Sequence, residues 1–455
     1  MKYKKVLFIF RRDLRLQDNT GLIEAASLSE AVIPCFIFDP RQIGSTNKYK
    51  SDNCIQFMIE SLQDLDKELK RAKSHLYIFK GKAHDVVRAL IKNGEINAVF
   101  CNKDYTPFSI ARDNAIKKIC EKNNVEFHQY ADLLLHDPDE VTKKNGTPYQ
   151  MFTPFFKYAY SHLIVRKPKR YTKSLFYRGK IKNSFFIADS KRAKNNFIAS
   201  HGGRVQGLKI LKKIDQFRDY EKLRNFPAMD ATTHLSAHNK FGTVSIREVY
   251  YAIQKRLGSS HALIRELYWR DFFTYVAFDF PHVFGNSFKK QYEKLAWENN
   301  KKKFHAWCHG KTGFPLVDAG MRELNTTGYM HNRIRMITAS FLVKDLHIDW
   351  RWGERYFAEK LIDYDPSVNN GNWQWVASTG CDAQPYFRIF NPWLQQKRFD
   401  AQCTYIKRWV PELEMVSSSV IHAWFKKAGT ISSDYPAPII EHKHEAKVSK
   451  KIYLF

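Results

Sequence analysis

Tryptophan is missing from the first 268 residues of this 455-residue chain, since all ten lie at or after Trp269. The two parts therefore differ in kind, and at this length two domains, or one large domain with a satellite, are expected. Acid is also scarce. Against 74 Lys and Arg stand 46 Asp and Glu, a formal charge of +28. Such an excess favours a polyanionic partner, nucleic acid first and an anionic membrane surface second. The seven cysteines are scattered with no C-x-x-C pair, which speaks against a zinc site and for reduced thiols in a cytosolic or nuclear setting. No apolar run approaches a membrane span, and the apolar start stops at Arg11, too short for a signal peptide. The G-x-G-x-x-G turn of a dinucleotide fold is absent as well: the first apolar run leads into R-R-D-L-R-L-Q-D-N-T-G.

What the chain does have is alternation. Short apolar runs at 6–10, 32–38, 76–79, 98–101 and 125–130 read as strands, and segments 54–71, 84–92 and 109–122 as helices. This spacing predicts a parallel, doubly wound sheet over 1–131. Over 132–205 the signals weaken, with Pro138, Pro148, Pro154 and Pro168 among many Lys, Tyr and Phe. That stretch reads as a long, partly helical connector. Residues 206–427 read as helical throughout. Ser245 with Glu248 makes a capping box, and helices are expected at 261–280, at 314–325 with Gly328 as cap, and at 331–344. Residues 428–455 look like a short, loosely attached basic tail.

Four stretches concentrate chemistry. Residues 361–375 read L-I-D-Y-D-P-S-V-N-N-G-N-W-Q-W. The turn residues Asp365, Pro366, Ser367, Asn369, Asn370 and Gly371 predict a loop between helices. Two tryptophans after it suggest a wall for something flat, with core filling as the plain alternative. Thr232, Thr233 and Ser236, with Tyr220 upstream, suit phosphate oxygens, although turns and caps are the commoner use of such hydroxyls. In R-E-L-Y-W-R-D-F-F, helical spacing puts Glu266, Trp269, Arg270 and Phe273 on one face. A carboxylate, a ring and a guanidinium on an apolar stripe need partners; an exposed acid–base pair is the plain alternative. In M-H-N-R-I-R-M-I-T-A-S-F-L, Asn332 and Met336 share a face flanked by Arg333 and Arg335, with Ile334, Ile337 and Phe341 on the other side.

From F-R-R-D-L-R-L-Q-D-N to R-W-V-P-E-L these motifs resemble the photolyase/cryptochrome family, in particular the microbial cyclobutane pyrimidine dimer photolyases. The resemblance implies an α/β domain (1–131, antenna-type) and an all-α FAD-binding domain (206–427), joined by the connector 132–205 and followed by the tail 428–455. It implies FAD held at its phosphates and ribityl chain by Tyr220, Thr232, Thr233, Leu235 and Ser236. Arg270, Asn332, Arg335, Asp363 and Asp365 would line the remainder, with Asn369 facing flavin N5. The implied damage pocket is Glu266, Trp269, Asn332, Met336 and Trp375, with Arg333 and Arg388 on phosphates beside it. Of these, Glu266, Asn332 and Met336, with Asn369 at the flavin, would carry the catalysis. Trp373, Trp350 and Trp297 match the family's electron chain.

The implied function is light-dependent splitting of cyclobutane dimers in UV-damaged DNA by a monomer. The setting would be cytoplasmic, at the nucleoid, in a bacterium, with nuclear or viral settings left open. A cryptochrome-like blue-light photoreceptor is the alternative. Relatives that repair the (6-4) photoproduct carry two histidines where this chain has Asn332 and Met336. Where folate-binding relatives carry Asn-Glu, this chain has Phe108 and Ser109, so a folate antenna is not expected; a deazaflavin, a flavin or an empty cleft stay open.

Overall fold

The computed structural model describes residues 1–94, 96–172, 175–187, 194–428 and 434–454. Parts of the expected connector (173–174 and 188–193) and tail (429–433 and 455) lie outside the described residues. Packing groups the chain into two compact units. The first is Met1–Lys194, Ser200–Arg218 and Thr233–Pro281, and the second is Asn195–Ala199, Asp219–Thr232 and His282–Phe455.

In the first unit five parallel strands form one sheet: β1 Tyr3–Phe10, β2 Ser29–Phe38, β3 Tyr77–Lys80, β4 Ala98–Asn102 and β5 Glu126–Tyr130, in the order β3-β2-β1-β4-β5. Central β1 pairs Val6 with Val32 on one side and with Ala98 on the other. Its last five residues are all buried, as a strand covered on both faces requires. Helix α1, Thr20–Leu28, gave no signal in the sequence; it is nine residues long and is started by Asn19, whose side chain accepts from Leu22 N. Helices α2 Asp52–Arg71, α3 Ala83–Lys92 and α4 Pro107–Glu121 match the expected ones. The first and last of these three begin early because Ser51 and Thr106 cap them.

The same unit holds α5 Phe152–His162, α6 Ile246–Leu257 and α7 Ala262–Asp279. The expected capping box at Ser245 and Glu248 is present. A buried ionic cluster ties distant stretches together: Asp132 takes Arg15 at 2.6 Å and Arg247 at 2.7 Å, and Arg247 also reaches Asp18 at 2.8 Å. Burial pushes the Asp132 carboxyl up, but the two guanidiniums outweigh it and hold it well below the usual range.

The second unit is helical. Helix α8, Pro315–Thr327, ends at Gly328 with φ +69°, as expected. Helix α9, Asn332–Ser340, is shorter than the expected 331–344: His331 is its cap, and the chain passes into a π turn at Phe341–Asp345. Helices α10 Trp350–Lys360 and α11 Pro366–Val376 follow.

Two expectations are corrected here. The stretch 361–375 is not a loop, because α11 begins at Pro366 and contains Asn369, Asn370, Gly371, Trp373 and Trp375. Asp365-Pro366 is a helix start, with a capping acid followed by a residue whose fixed φ suits the first position. The C-terminal stretch is not loosely attached either. Helix α12, His442–Ile452, places His442 Nδ1 2.5 Å from Asp345 and Glu445 2.6 Å from His347 Nε2. Tyr453 behind it is buried and donates to Ala377 O at 2.6 Å. Among the described residues no helix is long and apolar enough to cross a membrane.

Candidate functional site

In the second unit the site grows from the start of α11. Asp365 accepts from Ser367 N at 3.0 Å and Val368 N at 3.3 Å, which fixes the helix start. One turn on, Asn369 Nδ2 donates to Glu354 O at 3.1 Å, and Asn370 Nδ2 donates to Val283 O at 3.0 Å and to Glu354 Oε1 at 3.3 Å. Burial pushes the Glu354 carboxyl up to about 7, with Asn370 only partly offsetting it. Trp373 lies against Gly353 of α10 so closely that a Cβ there would meet its ring at 2.1 Å. Any side chain at 353 would displace the indole.

Arg335 meets Asp363 through two bonds, at 2.9 and 3.3 Å, and donates from Nε to Met330 O at 2.8 Å. Its guanidinium lies 5.4 Å from the Tyr329 ring centre, and the Tyr329 hydroxyl is 3.3 Å from Thr232 Oγ1. Thr232, Tyr329, Arg335 and Asp363 thus form one chain of contacts, although the sequence pointed only to the first, third and fourth. Tyr220 opens a short helix, with Arg224 over its ring at 5.7 Å.

On α9, Asn332 Nδ2 is 3.9 Å from Met336 Sδ, so the expected shared face is present. Asn332 is exposed and Met336 half-buried, whereas Ile334, Ile337 and Phe341 are buried. His331 is turned away into the helix cap, accepting from Arg333 N at 3.2 Å. Arg333 is held by Asn225 Oδ1 at 2.7 and 3.2 Å and lies over the Phe399 ring. Burial, with Arg224 and Arg398 nearby, lowers its pKa, so three guanidiniums concentrate positive charge at this end of the helix. Arg388 is exposed, in a turn closed by its own N–H to Pro385 O.

Trp350 and Trp373 are buried, Trp297 and Trp375 half-buried. Trp373 packs edge-on to Phe357 at 4.9 Å and Trp297 edge-on to Tyr453 at 6.3 Å. Among the described residues no ring pair joins two of Trp297, Trp350 and Trp373 directly.

The first unit carries the other expected residues. Leu235 is buried and its N–H donates to Thr233 Oγ1 at 3.4 Å; Ser236 is exposed. On α7, Glu266, Trp269 and Arg270 are half-buried. Arg270 donates to Leu133 O at 3.0 Å, Asn239 O at 3.3 Å and Asp271 at 3.2 Å. Burial raises the Asp271 carboxyl to about 7 against the pull of Arg270 and the Leu135 N–H. At the carboxyl ends of β1 and β4, where the strand order reverses, a small crevice is lined by Arg11, Asp13, Asn102 and Asp104 among others. Ser109 bonds Asp104 at 2.8 Å and Phe108 lies under Arg41 at 4.8 Å.

The first unit is a parallel sheet domain with a crevice at its strand-order reversal, and the helices carry hydroxyls, an arginine–carboxylate pair and side-chain amides, donor types compatible with a bound nucleotide cofactor. The model for the FAD binding domain of DNA photolyase matches residues 263–454, and that for DNA photolyase matches residues 6–172. The chain belongs to the DNA photolyase family. It is 38% identical to the deoxyribodipyrimidine photo-lyase of Alkalihalophilus pseudofirmus, over 96% of this chain and 95% of that one. Among solved structures, it is similar to the archaeal photolyase from Sulfolobus tokodaii with two FAD molecules, at TM-score 0.89 and 45% identity over 99% of both chains. It is also similar to the Synechocystis cryptochrome, at TM-score 0.90 and 30% identity over 99% of this chain and 100% of that one. The donor set suits FAD: hydroxyls and guanidinium for a diphosphate and ribityl chain, and a fixed cation with an amide for the isoalloxazine.

Proposed function

We propose that the chain splits cyclobutane pyrimidine dimers in UV-damaged DNA under light, working as a monomer at the nucleoid in the cytoplasm. The observation that carries this reading is the Asn332–Met336 pair, Nδ2 to Sδ 3.9 Å, on the accessible side of α9. An amide releases no proton at neutral pH, and a thioether offers only soft apolar contact. A cyclobutane ring opens on gaining an electron without net proton transfer, so this pair suits it; a lesion that needs a donated proton would receive none from Asn332 or Met336.

When bound, reduced FAD would supply the light-driven one-electron chemistry that this ring opening needs. Tyr220, Thr232, Thr233, Leu235 and Ser236 hold its phosphates and ribityl chain. Arg335, fixed by Asp363, sets a stationary positive charge, and Arg270, Asn332 and Asp365 line the rest. Asn369, tied at Nδ2 to the Glu354 carbonyl, holds its amide in one orientation for N5. Trp269 and Trp375 stack on the flipped lesion, Glu266 and Asn332 bond the thymine edges, and Arg333 and Arg388 meet phosphates. Trp297, Trp350 and Trp373 pass electrons inward. In this reading 1–131 is the antenna-type domain, 206–427 the FAD-binding domain, and the segments 132–205 and 428–455 connect and close the chain.

The test is to illuminate the chemically reduced protein with an oligonucleotide bearing one dimer, beside a dark control. Light-dependent return of both thymines is expected. A flavin that absorbs blue light while every dimer survives would favour the photoreceptor reading instead.

A further inference from the structure

Trp269 is locked in one plane by a neighbour the motif does not contain. Phe152, the first residue of α5, lies flat on the indole with ring centres 3.6 Å apart and planes 6° from parallel. Aromatic pairs in proteins usually stand roughly 4.5–7 Å apart, so this is full face-to-face contact. One face of the indole is therefore covered, and no ligand can stack on that face.

Phe152 is itself held. It is buried, Phe272 meets both rings edge-on at 5.8 Å, and Phe156 continues the stack 5.7 Å from Phe152 at 13°. Arg265 lies over Phe152 and Phe156 at 5.2 and 5.5 Å. Pro154, two residues on, fixes the backbone of the first helical turn where Phe152 starts it. On the α7 side Phe273, one turn beyond Trp269, adds an offset stack at 5.6 Å. Both halves of the Phe152–Trp269 pair are thus fixed by their own helices.

We propose that Phe152 is a positioning residue for lesion binding, setting the plane of the indole before DNA arrives. The inference rests on the reading of Trp269 as a stacking wall. A half-buried indole free to turn must be ordered on binding, and that cost weakens binding by about three- to tenfold. Phe152 removes the cost in advance. The ring contacts named above run to Trp269, Phe156, Phe272 and Arg265, none of them a flavin-binding or electron-chain residue, so the light reaction of a bound complex is expected not to depend on it.

The test uses reduced holoenzyme and an oligonucleotide bearing one cyclobutane dimer. Dark binding and the light-driven rate at saturating DNA are measured for wild type, Phe152→Leu, Phe152→Met, Phe152→Tyr, Trp269→Ala and the Phe152→Leu/Trp269→Ala double variant. Methionine fills the space with a flexible, unbranched chain and no flat face, which preserves the test if leucine prevents folding. Leucine and methionine are expected to weaken dimer binding about three- to tenfold with the saturated rate unchanged. Tyrosine should restore wild-type binding, and the double variant should bind no worse than Trp269→Ala alone.

If Trp269→Ala weakens binding while Phe152→Leu and Phe152→Met both bind as wild type, the inference is overturned and the wall stands. The same holds if the Phe152 effect adds in full to that of Trp269→Ala. If Trp269→Ala itself binds normally, the wall reading fails and the inference fails with it.

Discussion

The Asp363 side chain is 7% exposed and gives both oxygens to Arg335. Asp363→Ala leaves that guanidinium without its counter-charge, and breaking such a pair is strongly destabilising where it is covered. The variant should lose flavin on dialysis at least about tenfold faster than wild type, equivalent to ~1.4 kcal/mol, read as the flavin-to-protein absorbance ratio. Glu354 presents the opposite case. Burial holds its proton to about pH 7 in the folded protein, whereas an unfolded glutamate releases it near ~4.3. The folded state binds the extra proton between those values, so this contribution to stability is full below the lower one and is lost as pH rises to the upper. Glu354→Gln removes the titration. Its stability relative to wild type should improve by on the order of 2 kcal/mol between pH 5 and pH 8, measured by urea unfolding at both. An equal difference at the two pH values would contradict the raised carboxyl. Trp373→Phe should abolish light-driven reduction of oxidised flavin while sparing repair by chemically reduced enzyme, since phenylalanine is far harder to oxidise. Residues paired within one helix, such as Asn332 with Met336, were legible from spacing alone. Asn225 beneath Arg333 and Phe152 beneath Trp269 were not, because each partner lies more than a hundred residues away and leaves no local period.

Among the elements, the strands were legible because a parallel sheet writes continuous apolar runs, and each differs from expectation by at most three residues at an end. Helix α11 was misread because its polar residues are turn formers by composition. Inside the helix, Asn369 and Asn370 are instead spent on the carbonyls of Glu354 and Val283. Helix α12 hid for a related reason. It docks through His442, Glu445 and Ser449, a polar face that apolar periodicity cannot reveal, while its lysines point outward. The tail is therefore expected to contribute to stability. Tyr453→Ala removes a buried ring that stacks on Tyr386 and bonds Ala377 O, and should cost about 3–5 kcal/mol, read from the shift in the denaturation midpoint. A change within ~0.5 kcal/mol would return the tail to a loose appendage.

At the scale of the molecule, the uneven tryptophans follow the packing: Trp269 belongs to the first unit and the other nine to the second. The charge of +28 implies DNA binding that weakens with salt, with contacts to about 3–6 phosphates giving a log–log slope of roughly −3 to −5. A flat response would mean that the charge is not engaged with the backbone. What composition and packing leave open is the lesion, and that rests on Asn332 and Met336. The most direct measurement illuminates reduced enzyme with two purified oligonucleotides, one bearing a cyclobutane dimer and one a (6-4) photoproduct, and follows both by chromatography. The expected result is return of the cyclobutane oligonucleotide alone. Restoration of the (6-4) oligonucleotide, with the cyclobutane one untouched, would contradict the assignment.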